Sequence, residues 1–268
     1  MKKMIIISII MLILAGCGSQ NINNDANITT KEPDSVETSS VSTDNIAWGF
    51  VRKKGECPDV PDEWKTLLNE HSGYYLVNSS EKKIYLTFDE GYENGFTAKI
   101  LDVLKENQVK AIFFVTGPYL EGQKELIERM IAEGHYVGNH TVHHPNLSTL
   151  SEEEIQNELG ALNAKCEELY QTSMTYMRPP EGAFNERVLT VAQNMGYKTI
   201  LWSHAYKDWD VDMQKGTEYA INQVVPYTHN GEILLLHAVS KDNAEALNTI
   251  ISQIREMGFE FGDPAEIQ

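Results

Sequence analysis

Cysteine and positive charge are both scarce in this sequence. Among 268 residues there are three cysteines, and 22 Lys and Arg stand against 39 Asp and Glu, which gives a formal net charge of −17. Three cysteines are too few for the disulfide framework of a small secreted domain. The shortage of basic residues excludes nucleic acid as a partner, because no basic surface is available to neutralise phosphates. An apolar fraction of 41% with 23% charged residues is ordinary for a globular protein, which excludes wholesale disorder.

The N-terminus also lacks an apolar run long enough to span a bilayer comfortably. Residues 4–14 are apolar but short, and they follow Lys2 and Lys3, which predicts a secretory signal over residues 1–16. The end of this segment, Leu14-Ala15-Gly16-Cys17, resembles the lipobox of bacterial lipoproteins. This resemblance implies that Cys17 is lipid-modified and that the exported protein is anchored to the outer face of the cytoplasmic membrane, facing the cell wall. The alternative is a plain signal peptide with an incidental cysteine.

The chain after the signal divides by composition into a tether and a folded body. Residues 17–44 are polar, acidic and nearly free of large apolar side chains, so they cannot bury enough surface to offset the entropy of ordering them. We therefore expect a flexible acidic tether there. Residues 45–80 are expected to pack, as an N-terminal extension, on the main domain formed by residues 81–268. The sequence leaves open whether Cys57 and Cys166 of this body pair or remain free.

Short apolar runs alternate with amphipathic segments along the folded body. Strands are predicted over residues 83–88, 111–115, 199–202 and 233–236, and apolar side chains at helical spacing lie between and after them. This rhythm predicts an α/β fold with a parallel sheet covered by helices, either open or closed into a barrel. In such folds the chemistry collects where the strands end.

Two groups of polar residues follow the early strands. Asp89 and Glu90 would point to opposite faces of a regular strand, but at a strand end before Gly91 we expect both to turn into one site. His140, His143 and His144 lie within five residues, and either His140 and His143 or His140 and His144 could share a face and bind a metal. Adjacent acids are also common on ordinary surfaces, so the first group alone is a weak signal.

Three further groups follow later in the chain. They are Arg178-Pro179-Pro180, Asp208-Trp209 and the histidine His237, which ends an apolar strand. Each has an ordinary structural explanation when taken alone: a rigid turn, a chance dipeptide and a hydrogen-bonded core histidine. A guanidinium fork is nevertheless well suited to a carboxylate, so the arginine could pair with one of the early acids.

The five groups in this order resemble the motifs of the polysaccharide deacetylase family, which carries the NodB homology domain. The resemblance covers residues 48–261 and implies a distorted (β/α) barrel with the catalytic domain in residues 81–268. The motifs match as Thr87-Phe88-Asp89-Glu90, His140-Thr141-Val142-His143-His144, Arg178-Pro179-Pro180, Asp208-Trp209 and Leu235-Leu236-His237.

The resemblance implies metal-dependent hydrolysis of an N-acetyl amide, with Asp89 as the general base and His237 as the general acid. Arg178 would pair with the base, and Asp208 would hold the tautomer of the acid. A divalent metal, expected to be zinc, would be held by the ligands His140, His144 and Glu90.

Further residues resemble the peptidoglycan N-acetylmuramic acid deacetylases, which prepare muramic-δ-lactam in spore cortex. They are Trp48-Gly49-Phe50, the segment from Tyr92 to Gly95 and the segment from Asp242 to Leu247. By this resemblance the partner is a glycan strand whose stem peptides an amidase has removed. Substrate contacts are expected from Tyr92, Glu93, Asn94, Pro180 and Trp209. A deacetylase of N-acetylglucosamine is the alternative enzyme, and a glycan-binding lipoprotein without turnover is the alternative from another class.

The sequence departs from the family pattern at two positions. Glu90 stands where the family has a second Asp as metal ligand; it is one methylene longer, so its reach and angle differ. Glu181 stands where many relatives carry an aromatic residue, and we expect it to alter the wall of the cleft.

Overall fold

The alternation of strands and helices is present in the computed structural model, which describes residues 44–78 and 80–268. The strands are β1 Ile46–Ala47, β2 Gly73–Tyr74, β3 Lys83–Glu90, β4 Ala111–Val115, β5 Tyr136–Asn139, β6 Tyr176–Met177, β7 Ala183–Phe184, β8 Lys198–Ile200, β9 Glu232–His237 and β10 Glu260–Phe261. The α-helices are α1 Asp62–Glu70, α2 Thr97–Glu106, α3 Gly117–Gly122, α4 Lys124–Ala132, α5 Glu152–Tyr170, α6 Glu186–Asn194, α7 Thr217–Val224 and α8 Lys241–Glu256.

Eight of these strands form one parallel sheet that curls on itself. Its order is β10-β3-β4-β5-β6-β8-β2, and β9 pairs with β3. Past the end of β8, His204 forms a parallel bridge with Leu234 of β9, which links the far part of the sheet back to its start. The predicted distorted (β/α) barrel is therefore confirmed, with helices around the sheet and the carboxyl ends of the strands at one edge.

Apolar side chains at helical spacing explain how the helices pack against the sheet. Ile100 and Leu104 of α2 are fully buried, as are Leu247 and Ile254 of α8 to within 1%. Met257 has the same helical spacing from Ile254, but it is 40% exposed because α8 ends one residue before it, at Glu256.

The ends of α4 and β8 show how local conformation sets where an element stops. Gly134 lies just beyond α4 at a φ of 77°, the left-handed conformation that favours glycine after a helix. The strand predicted over residues 199–202 is β8, Lys198–Ile200, and Leu201 and Trp202 lie beyond it. Trp202 instead lines a cavity at the carboxyl edge of the sheet.

Residues before β3 pack against the barrel. Strand β1 pairs antiparallel with β7, and β2 pairs in parallel with β8. Trp48 donates its indole N–H to the Trp202 carbonyl at 2.8 Å and packs against Tyr75 at a ring distance of 5.2 Å. These contacts join the segment around Trp48 to the loop after β8, which borders the cavity.

The predicted signal segment 1–16, the lipid-modified Cys17 and the tether 17–44 lie outside the described residues, apart from Asp44. Within the described ranges, no helix is both long and apolar enough to cross a membrane. Cys57 and Cys166 are both free thiols, which answers the question of pairing that the sequence leaves open. Burial raises the pKa of Cys166 to about 11, as expected for an inert thiol inside a core.

Candidate active site

A cavity of about 560 Å³ opens at the carboxyl ends of the strands. The parallel register of β3 and β9 brings two motif residues together in this cavity, because Asp89 near the end of β3 is paired directly with His237 at the end of β9. Side chains from four of the five sequence motifs line this cavity, among them Asp89, His140, His144, Trp209 and His237.

Asp89 is held by a fully buried arginine. Arg178 Nη1 donates to Asp89 Oδ1 at 2.7 Å, and its remaining donors reach Thr87 Oγ1 and the carbonyls of Ile200 and Leu201. Burial alone would raise the pKa of Asp89, but Arg178 and then His140 and His237 outweigh it, so the pKa lies below its usual value. The carboxylate is therefore ionised and fixed in orientation near neutral pH.

His237 is held by a second buried carboxylate. Its Nδ1–H donates to Asp208 Oδ1 at 2.7 Å, and its backbone N–H donates to Asp208 Oδ2 at 2.8 Å. Burial alone would lower the pKa of His237, but the charge and hydrogen bond of Asp208 and the charge of Asp89 raise it above 6.5. Because Nδ1 is engaged, Nε2 is the nitrogen left to exchange a proton with a bound molecule.

The loop after β5 selects one pair of histidines from the three. Thr141 and His144 both adopt left-handed backbone conformations, with φ of 67° and 58°, so the segment is a tight irregular turn. The rings of His140 and His144 lie 4.8 Å apart and both line the cavity. His143 turns to the outside, where its Nδ1 lies 2.7 Å from Glu158 Oε1.

His140 is oriented by the backbone. Its Nδ1 lies 2.9 Å from the Arg178 carbonyl, which can only accept, so Nδ1 carries the proton. Its Nε2 is then a free lone pair, 3.6 Å from Asp89 Oδ2. Burial lowers the pKa of His140 to about 4, so the ring is neutral near pH 7.

Glu90 does not join these histidines. Strand β3 continues through Glu90, so the alternation of side chains directs it away from the face that Asp89 occupies. Glu90 is fully buried, and its Oε1 lies 3.5 Å from Thr97 Oγ1. Burial, then the negative charges of Glu93 and Asp89, raise its pKa well above the usual value. The expectation that both carboxylates turn into one site is thus corrected, and the reason is that the strand extends two residues beyond the predicted range 83–88.

The donors on the cavity side fit a divalent metal only in part. Two imidazoles, one of them oriented by the backbone and neutral, are the donors that zinc and similar cations prefer. Catalytic zinc sites ordinarily have three protein ligands, however, and within the described ranges no group of three His, Cys, Asp or Glu is arranged to hold a metal ion. His140 and His144 could therefore be two of the ligands, and the structure does not supply Glu90 as the third.

The predicted substrate-contact residues separate into two groups. Tyr92 and Trp209 line the cavity and are 53% and 54% exposed, so their rings are available to a sugar. Glu93 turns back to accept from Thr97 Oγ1 at 2.5 Å, and Asn94 donates to the Val239 carbonyl at 2.9 Å. These two side chains fix the loop that carries Tyr92, which corrects the expectation of direct contact.

In the turn after β6, too, only one of two neighbouring residues reaches the cavity. Pro180 is buried, whereas Glu181 lines the cavity with a φ of 59°. Glu181 and not Pro180 therefore forms this part of the cavity wall, which agrees with the expectation that Glu181 alters the cleft wall.

Sequence reasoning missed several residues of the site. Tyr206 and Trp202 line the cavity although neither belongs to a motif. Asn243 is buried beneath it and donates to Asp208 Oδ2 at 2.5 Å. Asn243 does lie in the segment from Asp242 to Leu247, whose resemblance to one group of deacetylases is noted above. That resemblance does not indicate that its side chain contacts the site.

Comparison with known proteins agrees with this geometry. A family model described as polysaccharide deacetylase matches residues 77–200. The chain is 44% identical over 231 residues to the peptidoglycan-N-acetylmuramic acid deacetylase PdaA of Bacillus subtilis (strain 168), covering 84% of this chain and 87% of that protein. It is 32% identical over 205 residues to a peptidoglycan-N-acetylglucosamine deacetylase of Bacillus cereus, covering 74% of this chain and 94% of that protein.

A solved structure extends the likeness to three dimensions. The structure of Bacillus subtilis PdaA, described as a family 4 carbohydrate esterase, matches with a TM-score of 0.82 at 43% identity, covering 85% of this chain and 98% of that chain. Sequence, fold and the placement of the motif residues thus lead to the same conclusion: this chain belongs to the polysaccharide deacetylase family.

Proposed function

We propose that this protein removes the N-acetyl group from N-acetylmuramic acid in peptidoglycan. The observation that carries the proposal is the pairing of Asp89 and His237 at adjacent strand ends in one cavity, with the pKa of the first lowered and that of the second raised. An ionised carboxylate and a protonated imidazole are the base and the acid that amide hydrolysis requires. The choice of muramic acid rests on the 44% identity with PdaA.

In this mechanism Asp89 takes a proton from the attacking water. Its Oδ1 is engaged by Arg178 at 2.7 Å, so Oδ2 is the oxygen available to the water. The paired guanidinium keeps the carboxylate ionised and fixed, which lowers the cost of aligning it in the transition state. His140 and His144 would hold a divalent metal, which we take to be zinc, and the metal would supply Lewis-acid polarisation of the acetyl carbonyl.

His237 then protonates the departing nitrogen from its Nε2. Asp208 keeps the Nδ1 proton in place, so that the ring presents its other nitrogen to the cavity, and stabilises the charged ring before transfer. The C–N bond breaks as the proton arrives, acetate leaves, and the sugar keeps a free amine. This amine can condense with the lactyl carboxyl of the same residue, with loss of water, to form muramic-δ-lactam.

We also propose where the enzyme meets this substrate. The signal-like N-terminus and Cys17 support export and a lipid anchor on the outer face of the cytoplasmic membrane. The substrate is then a glycan strand whose stem peptides an amidase has already removed, and the setting is spore cortex formation. With a net charge of −17 the protein has no long-range attraction to an anionic wall polymer, so recognition rests on contacts within the cleft.

A second candidate substrate is the N-acetylglucosamine of the same glycan. The Bacillus cereus relative, 32% identical over most of its length, carries that specificity in its name. The chemistry is unchanged in this case, but the product is a glycan with free glucosamine amines and no lactam.

Mass spectrometry of digested, peptide-stripped glycan tests both candidates. We expect loss of one acetyl group from muramic acid residues after treatment with the protein, and no loss from glucosamine residues. In His237→Ala we expect glycan binding to survive while turnover falls by ~10²–10⁴, the usual contribution of a general acid. Loss of acetyl groups from glucosamine alone would replace the first candidate by the second, and no acetate release from either sugar would contradict both.

A further inference from the structure

Asp208 makes a contact that its role as partner of His237 does not require. Its Oδ2 already accepts from the His237 backbone N–H, and it accepts in addition from Asn243 Nδ2 at 2.5 Å. Asn243 is 1% exposed and Asp208 is 2% exposed, so both groups are removed from water. A hydrogen bond to a buried carboxylate is strong, because the surroundings do not screen its charge.

The amide of Asn243 is itself fixed from the other side. The Tyr206 hydroxyl donates to Asn243 Oδ1 by a short hydrogen bond, and the ring of Tyr206 lines the cavity. Because Oδ1 accepts from the hydroxyl, Nδ2 is the end that faces Asp208. The contacts therefore form an unbroken series from Tyr206 through Asn243 and Asp208 to His237.

This series is separate from the contacts that hold helix α8. The Ser240 hydroxyl caps α8 by accepting from the backbone N–H of Asn243 at 3.2 Å, and a side-chain substitution at this position leaves that bond in place. The side chain of Asn243 thus takes no part in capping the helix. Its described partners are the Tyr206 hydroxyl, the Asp208 carboxylate and, at 3.4 Å, the His237 carbonyl.

We propose that Asn243 is a positioning residue that sets the proton affinity of His237 through Asp208, and that Tyr206 keeps its amide in the required orientation. The donor from Asn243 withdraws part of the negative charge that Asp208 would otherwise direct at the imidazole. His237 is thereby kept acidic enough to give up its proton to the leaving nitrogen. The proposal deepens the proposed function, since it rests on His237 acting as the general acid of the deacetylase.

The sign of the effect follows from the contacts. Without the Asn243 donor, Asp208 carries more uncompensated charge beside Nδ1, so the charged imidazole is favoured and the pH midpoint of His237 moves upward. The other charged groups that face His237 are Asp89 and Arg178, and the substitutions below leave both in place. A direct hydrogen bond to a charged group corresponds to a shift of about one to two pH units. Because Asn243 acts on His237 only through Asp208, we expect a smaller shift of about half to one pH unit, a three- to tenfold change in the dissociation constant.

The experiment is an NMR titration of the histidine ring protons, with the His237 signal assigned by its absence in His237→Gln. We expect the midpoint to rise by ~0.5–1 pH unit in Asn243→Ala, and the basic limb of kcat/KM for acetate release to move with it. Asn248→Ala, the same substitution at an exposed position of α8, is the matched control and is expected to leave the midpoint in place.

Tyr206→Phe keeps the ring in the cavity wall and removes only the hydroxyl. We expect a smaller rise in the midpoint, and in the double variant Tyr206→Phe with Asn243→Ala we expect the same midpoint as in Asn243→Ala alone. Such non-additivity is the signature of residues that act through one another. If Asn243→Ala does not fold, Tyr206→Phe alone still decides the matter.

An unshifted midpoint in a folded Asn243→Ala, or in Tyr206→Phe when the first variant does not fold, would overturn the proposal, even if turnover falls. Additive shifts in the double variant would overturn the role of Tyr206. The titration does not depend on turnover, so failure of the proposed function would show as a wild-type protein that releases no acetate while the midpoint still responds to Asn243.

Discussion

Asp89 and Glu90 are neighbours in sequence and carry the same chemical group, yet the two faces of β3 give them opposite properties. On the cavity face, the charges of Arg178 and two histidines lower the pKa of Asp89. On the other face, burial and the charge of Glu93 raise the pKa of Glu90. A position at the end of a strand is therefore not enough to place a motif residue in the site. Its side chain must also lie on the face of the strand that borders the cavity.

The largest effect is expected from removing the charge on the cavity face. Asp89→Asn keeps the shape of the side chain but cannot accept a proton from water, so turnover should fall by ~10²–10⁴. Acetate release from peptide-stripped glycan measures it. An Asp89→Asn variant with wild-type turnover would show that the base lies elsewhere, and Glu125→Gln, at an exposed position of α4, is a control for the loss of a carboxylate.

Removing the counter-charge should make Asp89 resemble Glu90. Arg178→Met leaves a buried carboxylate without its partner, and the free energy of unfolding should fall by about 3–5 kcal/mol. Urea unfolding at neutral pH measures this loss. In the double variant Asp89→Asn with Arg178→Met no buried charge remains unpaired, so we expect much of the stability to return. If the double variant is as unstable as Arg178→Met, the loss comes from packing around the guanidinium and not from the unpaired charge.

Metal binding distinguishes the two faces directly. His140→Ala should weaken zinc binding by more than about 10–100-fold, the range already seen when outer-shell partners of metal sites are lost. His143→Ala, the outward-facing neighbour, and Glu90→Gln, on the opposite face of β3, should leave the zinc affinity within a factor of about two. Calorimetric titration of the purified protein with zinc measures all three. A large loss in Glu90→Gln would restore Glu90 as a ligand and require β3 to twist at its end.

The pH dependence of kcat/KM should report both ends of the cavity. Activity requires ionised Asp89, whose own protonation should reduce kcat/KM only below pH 3.8, because its pKa is lowered from that value. Activity also requires protonated His237, so it should be lost as pH rises through a value above 6.5. In Asp208→Asn the larger of the two negative charges that raise the pKa of His237 is removed, so the basic limb should move to lower pH. If the basic limb does not move in Asp208→Asn, the titration of His237 is not what causes it.

How far the sequence could predict the site is clear from β3 and the loop after β5. Asp89, Arg178, Asp208 and His237 lie together as the resemblance implies, and the pairing of β3 with β9 places Asp89 directly beside His237. The choice of His144 over His143 depends on two left-handed residues, which spacing cannot reveal. Likewise, the face of Glu90 depends on a strand end that apolar periodicity locates only to within a residue or two.

Asn243 illustrates a different limit. A buried asparagine in the first turn of a helix has an ordinary explanation, because polar residues near helix starts usually serve the backbone. Its contact with Asp208 links α8 to the loop after β8, and the two residues are 35 positions apart in sequence. Such a contact can be found only once the fold has brought the two segments together.

The smallest effect on activity is expected on the face of β3 that Glu90 occupies, where a substitution should instead change how stability depends on pH. Because the pKa of Glu90 is raised when the protein folds, the folded state binds this proton more tightly than the unfolded chain, whose value is near 4.5. Stability is therefore lost as pH rises from about 4.5 towards the raised value, at a limiting slope of about 1.4 kcal/mol per pH unit. Glu90→Gln removes this proton, so its free energy of unfolding should fall less than that of the wild type between pH 5 and 8. Urea unfolding at several pH values measures the difference, with Glu125→Gln on the exposed side of α4 as control. Parallel curves for wild type and Glu90→Gln would mean that Glu90 is ionised in the folded protein, and the contrast between the two faces of β3 would then disappear.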